Sequence, residues 1–247
     1  AVEHVADVLG GVAPPRPRTS YLVSMLTGTM SQPAVALRPA TKKAQREASV
    51  EGLLVAARAL FVSQGYRHTT VDAIAEAAHL TKGAVYFYFR NKEALLSALL
   101  DRVETVVLGG MNERIAAAGP GAARRLVAFM HGQARLGVES PDDVLLLILM
   151  SLEFAGTGGP VEARIRAVYD RLYKAIEGVI ALGKRRGEFR PDIRTREQAA
   201  IVMALHYGTF LEWYRRRQAL GGPELVRALR TSMLAGLPQT QTPGAHR

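Results

Sequence analysis

Residues 70–89 concentrate hydrogen-bonding, cationic and aromatic side chains at helical spacing. This segment reads TVDAIAEAAHLTKGAVYFYF, two short amphipathic stretches separated by a turn. The second stretch opens with Lys82 and Gly83 and continues with aromatic residues, two of which carry hydroxyls. An ammonium and tyrosine hydroxyls donate to phosphate, and glycine permits close approach to a backbone. These residue types at the start of a short helix predict contact with DNA, because the N-terminal end of a recognition helix reaches base edges in the major groove.

The two stretches are predicted to share one apolar seam, formed by Ile74, Ala78, Leu80, Val85 and Tyr88. Ala75 is small where the two backbones would come closest. Thr70 and Thr81 each precede a helix and are placed to accept hydrogen bonds from its first N–H groups. The turn holds His79 where a left-handed residue, most easily glycine, is needed. Histidine is among the few other residues enriched at positive φ, so the turn is tolerable.

The predicted DNA contacts come from both stretches and from the start of the next helix. Lys92, in that helix's first turn, is expected to direct its charge at phosphate. Helix pairs of this kind also occur as packing units that bind nothing. The crowding of small and aromatic residues at one end favours DNA binding, because a buried helix would show a plainer aliphatic stripe. The predicted contact residues are Thr69, Thr70, Thr81, Lys82, Gly83, Ala84, Tyr86, Phe87, Tyr88 and Lys92.

The sequence contains no motif typical of an enzyme active site or of a metal site. It contains no nucleophile elbow, phosphate-binding lysine loop, HExxH helix or dinucleotide fingerprint. The glycines around 156–159 follow a predicted helix rather than a strand. His131 and His206 have no neighbouring ligands at metal spacing, and there is no cysteine. We therefore expect no enzyme, no metal and no cofactor.

Composition gives a basic chain able to fill a large core. Of 247 residues, 48% are hydrophobic, and 32 Lys+Arg against 22 Asp+Glu give a net charge of +10. Such a balance favours a polyanion, either nucleic acid or an anionic membrane surface, and composition alone does not choose. The longest apolar run, Val144 to Met150, is far shorter than the roughly 20 residues of a membrane span. Glu3 and Asp7 stand where a signal peptide needs positive charge, so a cytoplasmic location without membrane contact is expected.

Periodicity predicts an all-α fold of about nine helices. After a first helix from about 45 to Gly65 and the two short ones near 71–78 and 82–88, a long helix begins at Asn91 and fades near Gly119. The remaining helices are predicted near 121–138, 142–155, 161–187, 196–217 and 223–236.

Four regions follow from this pattern. Residues 1–44 are predicted to be a flexible extension ending in a basic arm, formed by Arg38, Lys42, Lys43 and Arg46. The arm either touches DNA or is a solvated tail. Residues 45–95 are the expected DNA-binding domain, 96–238 the helical effector and dimerisation domain, and 239–247 a flexible tail.

Residues 45–100 resemble the DNA-binding domain of the tetracycline-repressor (TetR) family. The matching stretches are ALFVSQGY (59–66), TTVDAIAEAA (69–78), TKGAVY (81–86) and YFRNKEAL (88–95). The run is long and ordered, which makes it more specific than a lone helix-turn-helix. Two positions depart from the family: His79 replaces the usual glycine, and Phe87-Tyr88 replace common aromatic–histidine pairs. Both affect sequence specificity rather than the binding mode.

The resemblance implies a ligand-binding and dimerisation domain from about residue 96 onward. Candidate pocket residues are Met130, His131, Phe154, Tyr169 and Tyr173; the alternative is ordinary core. Candidate dimer-interface residues are Leu205, Leu211, Tyr214, Leu229 and Met233; the alternative is that they close the core of one chain. Glu153, in an apolar helix, is expected to pair with a ligand cation or an internal arginine, or to lie at an exposed edge.

We therefore predict a homodimeric repressor that a small-molecule effector releases from a near-palindromic operator in double-stranded DNA. The long helix from Asn91 is the expected transmitter, with its turns around Val103, Val106 and Val107 facing the pocket. The alternative is a ligand-independent regulator or adaptor that binds another protein through its helical half.

Overall fold

The computed structural model describes residues 41–216 and 219–238, and the all-α prediction is confirmed. The first helix, α1, spans Lys42–Gln64 and is followed by the short α2 (Val71–Ala77) and α3 (Lys82–Tyr88). The remaining helices are α4 (Lys92–Leu108), α5 (Met111–Ala117), α6 (Ala122–Glu139), α7 (Pro141–Glu153), α8 (Pro160–Arg185), α9 (Thr195–Arg216) and α10 (Gly222–Ala235). No helix among the described residues is long and apolar enough to cross a membrane.

Helix α1 begins three residues before the predicted start. The Thr41 hydroxyl caps it by accepting a hydrogen bond from the Ala44 amide at 3.2 Å. Lys42, Lys43 and Arg46 of the predicted arm are therefore helical and exposed. The rest of that arm, the extension before it and the predicted tail at 239–247 lie outside the described residues.

The long helix predicted from Asn91 is in fact two helices. The chain breaks between α4 and α5 at Gly109 and Gly110, and Gly110 adopts a left-handed φ of 63°. A pair of glycines removes the side chains that favour helix continuation, which permits the turn. Helix α4 therefore ends well before Gly119. Val103 and Val107 are almost wholly enclosed and Val106 is half-buried, so these turns pack into the core, and their facing a ligand pocket stays a prediction.

One hydrophobic core runs from α1–α3 into the helical half. Helix α7 is the buried central helix that its composition predicts, since Leu146, Leu147 and Met150 are enclosed. It packs against α1 on one side and against α4 and α8 on another. The helix pair is thus placed on a rigid support rather than joined to it by a linker.

Candidate nucleic-acid interface

Helices α2 and α3 begin as the sequence predicts. The Thr70 hydroxyl accepts a hydrogen bond from the Ala73 amide at 3.1 Å, and the Thr81 hydroxyl accepts one from the Ala84 amide at 3.2 Å. Both threonines have extended backbones, as N-cap residues require. The caps fix where each short helix starts, and hence which side chains lie at the N-terminal end of α3.

The turn between the two helices is left-handed at His79, with φ of 57°. The Leu80 amide donates to the Ala75 carbonyl at 2.9 Å, and the His79 amide donates to the Glu76 carbonyl at 3.0 Å. This pair of bonds is the Schellman arrangement that ends many helices. His79 is the one non-glycine residue with positive φ among the described residues, and its position is the one predicted.

The predicted seam between α2 and α3 forms. Ile74, Ala75 and Val85 are buried, while Ala78, Leu80 and Tyr88 pack half-buried against the same core. Because this face is used for packing, the opposite face of α3 lies in solvent.

Helix α3 carries six of the ten residues predicted to touch DNA, and four of these are exposed on its outward face. Lys82 and Gly83 are exposed at its start. Tyr86 is 48% exposed and Phe87 77% exposed, whereas Ala84 and Tyr88 are half-buried. The neighbouring exposed rings of Tyr86 and Phe87 form a contiguous apolar patch beside the Lys82 cation, and such a patch is typical of a surface that meets another molecule.

Lys82 forms an ion pair with Asp72, its Nζ lying 2.8 Å from the carboxylate. The hydrogen bond to Asp72 raises the pKa of Lys82, so the ammonium stays charged. Both side chains are exposed, and such a pair exchanges readily with solvent or phosphate. The pair thus positions the cation beside the outward face of α3.

Thr69 is a correction to the predicted contacts. Its side chain is buried, and its hydroxyl donates to the Gly65 carbonyl at 2.8 Å. A hydroxyl committed in this way stabilises the turn after α1 and leaves Thr70 as the exposed threonine of the pair.

Lys92 also lies differently from the expectation of a free charge. Its Nζ donates to the carbonyls of Tyr66 and Thr69, each at 2.8 Å, and sits 4.2 Å from the centre of the Tyr66 ring. Burial lowers the pKa of Lys92. The ammonium therefore ties the start of α4 to the segment 65–69, which precedes α2.

Glu153 holds the same segment from the opposite direction. Its carboxylate accepts hydrogen bonds from the Tyr66 amide at 3.0 Å and the Arg67 amide at 2.9 Å. Of the roles that the sequence left open, the partner is mainly backbone N–H, with the Arg67 guanidinium 3.7 Å away. The segment 65–69 is thus clamped between a cation on α4 and an anion at the end of α7, a role that no local sequence signal indicated.

A second ion pair joins α1 to the start of α7. Arg58 Nη1 lies 2.8 Å from a carboxylate oxygen of Asp143, whose side chain is only 4% exposed. Together with the Glu153 contacts, this pair attaches α7 at its two ends to α1 and to the segment 65–69, from which α2 follows. The orientation of α3 is therefore set by the helical half.

The predicted pocket residues do not gather around one cavity. Phe154 packs on Tyr66, with ring centres 5.1 Å apart, and so belongs to the junction with α1. The Tyr169 hydroxyl lies 3.4 Å from Ser151 Oγ. Met130 is fully buried in the core, and Tyr173 packs half-buried against it. Burial, with Arg230 nearby, lowers the pKa of the half-buried His131.

The predicted dimer residues divide into two groups. Leu229 and Met233 are enclosed in the core of the single chain, so they are corrected to core residues. Leu205, Leu211 and Tyr214 are half-buried and also pack against the core. The exposed face of α9 consists instead of Ala200, Ile201, Ala204 and Gly208.

Comparison with known proteins matches this architecture. The sequence model of "Bacterial regulatory proteins, tetR family" matches residues 53–99. The crystal structure of the MbdR regulator from Azoarcus sp. CIB is 47% identical, covers 77% of this chain and 100% of its own, and superposes with a TM-score of 0.70. NalD of Pseudomonas aeruginosa, titled the secondary repressor of an efflux pump, is 27% identical, covers 79% of this chain and 98% of its own, and gives a TM-score of 0.64. The transcriptional repressor BepR of Brucella suis is 25% identical over 69% of this chain and 83% of its own length.

Proposed function

The chain belongs to the TetR family of bacterial regulatory proteins, and from this premise we propose that it is a homodimeric repressor released from its operator by a small-molecule effector. It is a DNA-binding transcriptional regulator and not an enzyme. We assign DNA reading to α1–α3 and effector binding and dimerisation to α4–α10.

The outward face of α3 is the observation that carries the DNA-reading assignment. Thr81 caps this helix, Lys82 and Gly83 at its N-terminal end are exposed, and Tyr86 and Phe87 project from it into solvent. A helix with this exposure fits the major groove, where an aromatic or aliphatic side chain can contact a thymine methyl group. The net charge of +10 favours association with the negatively charged phosphate backbone of DNA.

The experiment selects binding sites for the purified protein from random duplexes and then measures affinity for the selected site. Phe87→Ala is expected to weaken binding to that site by roughly 5-fold or more, since losing recognition of one base pair costs about 1–3 kcal/mol. Binding to a scrambled duplex is expected to stay unchanged, because phosphate contacts do not read sequence. Leu152→Ala is the matched control, an equally exposed apolar residue at 72% on α7. Equal loss on both duplexes would contradict specific reading by Phe87.

Repression as the direction of regulation is supported by relatives named as repressors, BepR and NalD. Release by an effector requires that effector and operator binding be coupled. An effector that weakens operator binding tenfold must bind the DNA-free protein tenfold more tightly than the DNA-bound protein, a coupling free energy of about 1.4 kcal/mol. Helix α4 is suited to transmit it, because Lys92 holds the 65–69 segment at one end of α4 and Val103 and Val107 enter the core further along. Equal effector affinity with and without saturating operator would instead favour the ligand-independent adaptor.

Dimerisation is assigned to the exposed face of α9. Ala200, Ala204 and Gly208 lie about one helical turn apart on this face, and Ile201 beside them is 51% exposed. Small residues allow a second helix to pack closely, and a two-fold axis there would pair the face with itself.

Ala204→Arg is expected to split the dimer and lower operator affinity at least about 100-fold, because two linked reading heads gain roughly 10²–10⁴ over one. Sedimentation reports the assembly and fluorescence anisotropy reports the affinity. Ala116→Arg on the exposed face of α5 adds the same charge elsewhere and is expected to leave both unchanged. A dimeric Ala204→Arg variant with full affinity would exclude this face.

A further inference from the structure

The helical half contains a largely apolar cavity enclosed by α6, α9 and α10. About 60 Å³ of space in it admits the centre of a water-sized sphere. That is well below the roughly 300–1,000 Å³ of sites that enclose a whole drug-sized molecule, so this cavity takes one small apolar group of a ligand. Its wall includes the rings of Phe210 and Trp213 from α9 and the side chains of Pro223 and Leu229 from α10. Phe210, Pro223 and Leu229 are buried and Trp213 is half-buried, so the space is a recess between helices that opens to solvent.

The wall is apolar but not without polar atoms. None of the described residues that line it is Asp, Glu, Lys or Arg. Two buried polar side chains, His206 and Gln133, do line it, with exposed fractions of 5% and 4%. A few polar groups in an apolar wall are what fix the orientation of a small-molecule ligand.

His206 has unused hydrogen-bonding capacity. Its Nε2 is enclosed and has no hydrogen-bond partner among the described residues. Burial lowers the pKa of His206 to about 4, so its ring is neutral at physiological pH. A buried polar atom without a partner is unusual in folded proteins, and a ligand, an ion or a water commonly satisfies it.

We propose that this cavity is the effector site, and that the group entering it is uncharged and mostly apolar, with one polar atom paired to His206. An ionised group would lose its hydration without meeting an opposite charge, which makes its burial here unfavourable. The inference rests on the proposed function, because it gives that function's effector a place and a chemistry.

The cavity is also in contact with the helix that leads to the DNA-reading head. The Gln133 amide nitrogen lies 3.5 Å from the carbonyl of Val107 on α4, a long and weak hydrogen bond. A ligand that draws the Gln133 amide toward itself removes that bond. The other end of α4 carries Lys92, which holds the 65–69 segment.

The test uses two probes with one ring skeleton, N-phenyl-1-naphthylamine, which is neutral with a single N–H, and 8-anilinonaphthalene-1-sulfonate, which adds a charge. Trp213, the single tryptophan of the chain, lines the cavity, so energy transfer from it reports occupancy. We expect the neutral probe to bind at one site per chain and at least 10-fold more tightly than the sulfonate. The positive net charge of the protein attracts the anionic sulfonate, so tighter binding of the neutral probe would reflect the cavity rather than the overall charge.

Variants localise the site. Ala134→Phe and Val138→Phe each place a ring in the cavity and are expected to abolish saturable energy transfer from Trp213. His206→Phe is expected to weaken N-phenyl-1-naphthylamine about 10-fold, the loss typical of one hydrogen bond. It is expected to leave 1-benzylnaphthalene, which lacks the N–H, unchanged. Circular dichroism selects the variants that are folded, and either filling variant suffices.

Two outcomes overturn the inference: tighter binding of the sulfonate, or unchanged transfer in a folded filling variant. Affinity of each variant for the selected DNA site is measured separately without any probe. If the wild-type protein shows no site-specific DNA binding, the proposed function itself is wrong. Retained DNA binding with no probe binding defeats only this assignment of the cavity.

Discussion

Replacing Arg58 with methionine is expected to lower the free energy of unfolding by about 3 kcal/mol, the scale measured when one partner of a buried ion pair is removed. Asp143 is nearly enclosed, and Arg58 Nη1 is the cation 2.8 Å from its carboxylate. Methionine keeps most of the aliphatic stem but leaves that carboxylate buried without its hydrogen-bonded cation. Urea unfolding, with the midpoint and slope fitted together, measures the loss.

Two controls isolate the charge effect. The double variant Arg58→Met with Asp143→Leu removes both charges and is expected to recover most of the stability, since apolar replacements of a buried pair are often neutral. Arg135→Met breaks the pair with Glu139, whose side chains are 53% and 45% exposed, and is expected to cost under about 1 kcal/mol. Equal losses for Arg58→Met and Arg135→Met would contradict a larger contribution from the buried pair.

The same pair matters for function because α7 sets the orientation of helices α1–α3, which form the DNA-reading head. Asp143 holds α1 at the start of α7, and Glu153 holds the 65–69 segment at its end. A movement of α7 or α4 therefore displaces α2 and α3 together. In a dimer that must place two α3 helices in successive major grooves, such a displacement breaks contacts at one half-site when the other is held.

Local features of the reading head were predictable from the sequence. The caps at Thr70 and Thr81 and the left-handed turn at His79 follow from residues within four positions of each other. The seam follows from apolar spacing alone. Each of these depends on interactions along one short stretch, and sequence patterns describe such interactions well.

Long-range partners were not predictable. Glu153 bonds to an amide 87 residues earlier, and Lys92 to a carbonyl 26 residues earlier. A charge in the first turn of a helix has the same sequence pattern whether it faces phosphate or a neighbouring carbonyl. Similarly, the spacing of Leu229 and Met233 shows that one face is buried but not whether its own chain or a partner covers it.

His206 is expected to make the protein less stable as the pH falls. Its folded pKa of about 4 lies below the value of 6.5 for an unperturbed histidine. The unfolded chain therefore binds the proton first, so the contribution is fully present above pH 6.5 and is lost as the pH falls toward 4. The loss attributable to this residue is about 2 kcal/mol at pH 5 relative to pH 8.

The measurement is the slope of unfolding free energy against pH between 8 and 5, compared among variants. His206→Gln and His206→Leu do not titrate, and both are expected to show a shallower slope than the wild type, whatever their absolute stability. Phe129→Leu, whose ring centre lies 6.5 Å from that of His206, perturbs the same packing but keeps the histidine and therefore the slope. Wild-type slopes in the His206 variants would mean that this ring is charged or solvated, and the cavity would then have no neutral partner for a ligand.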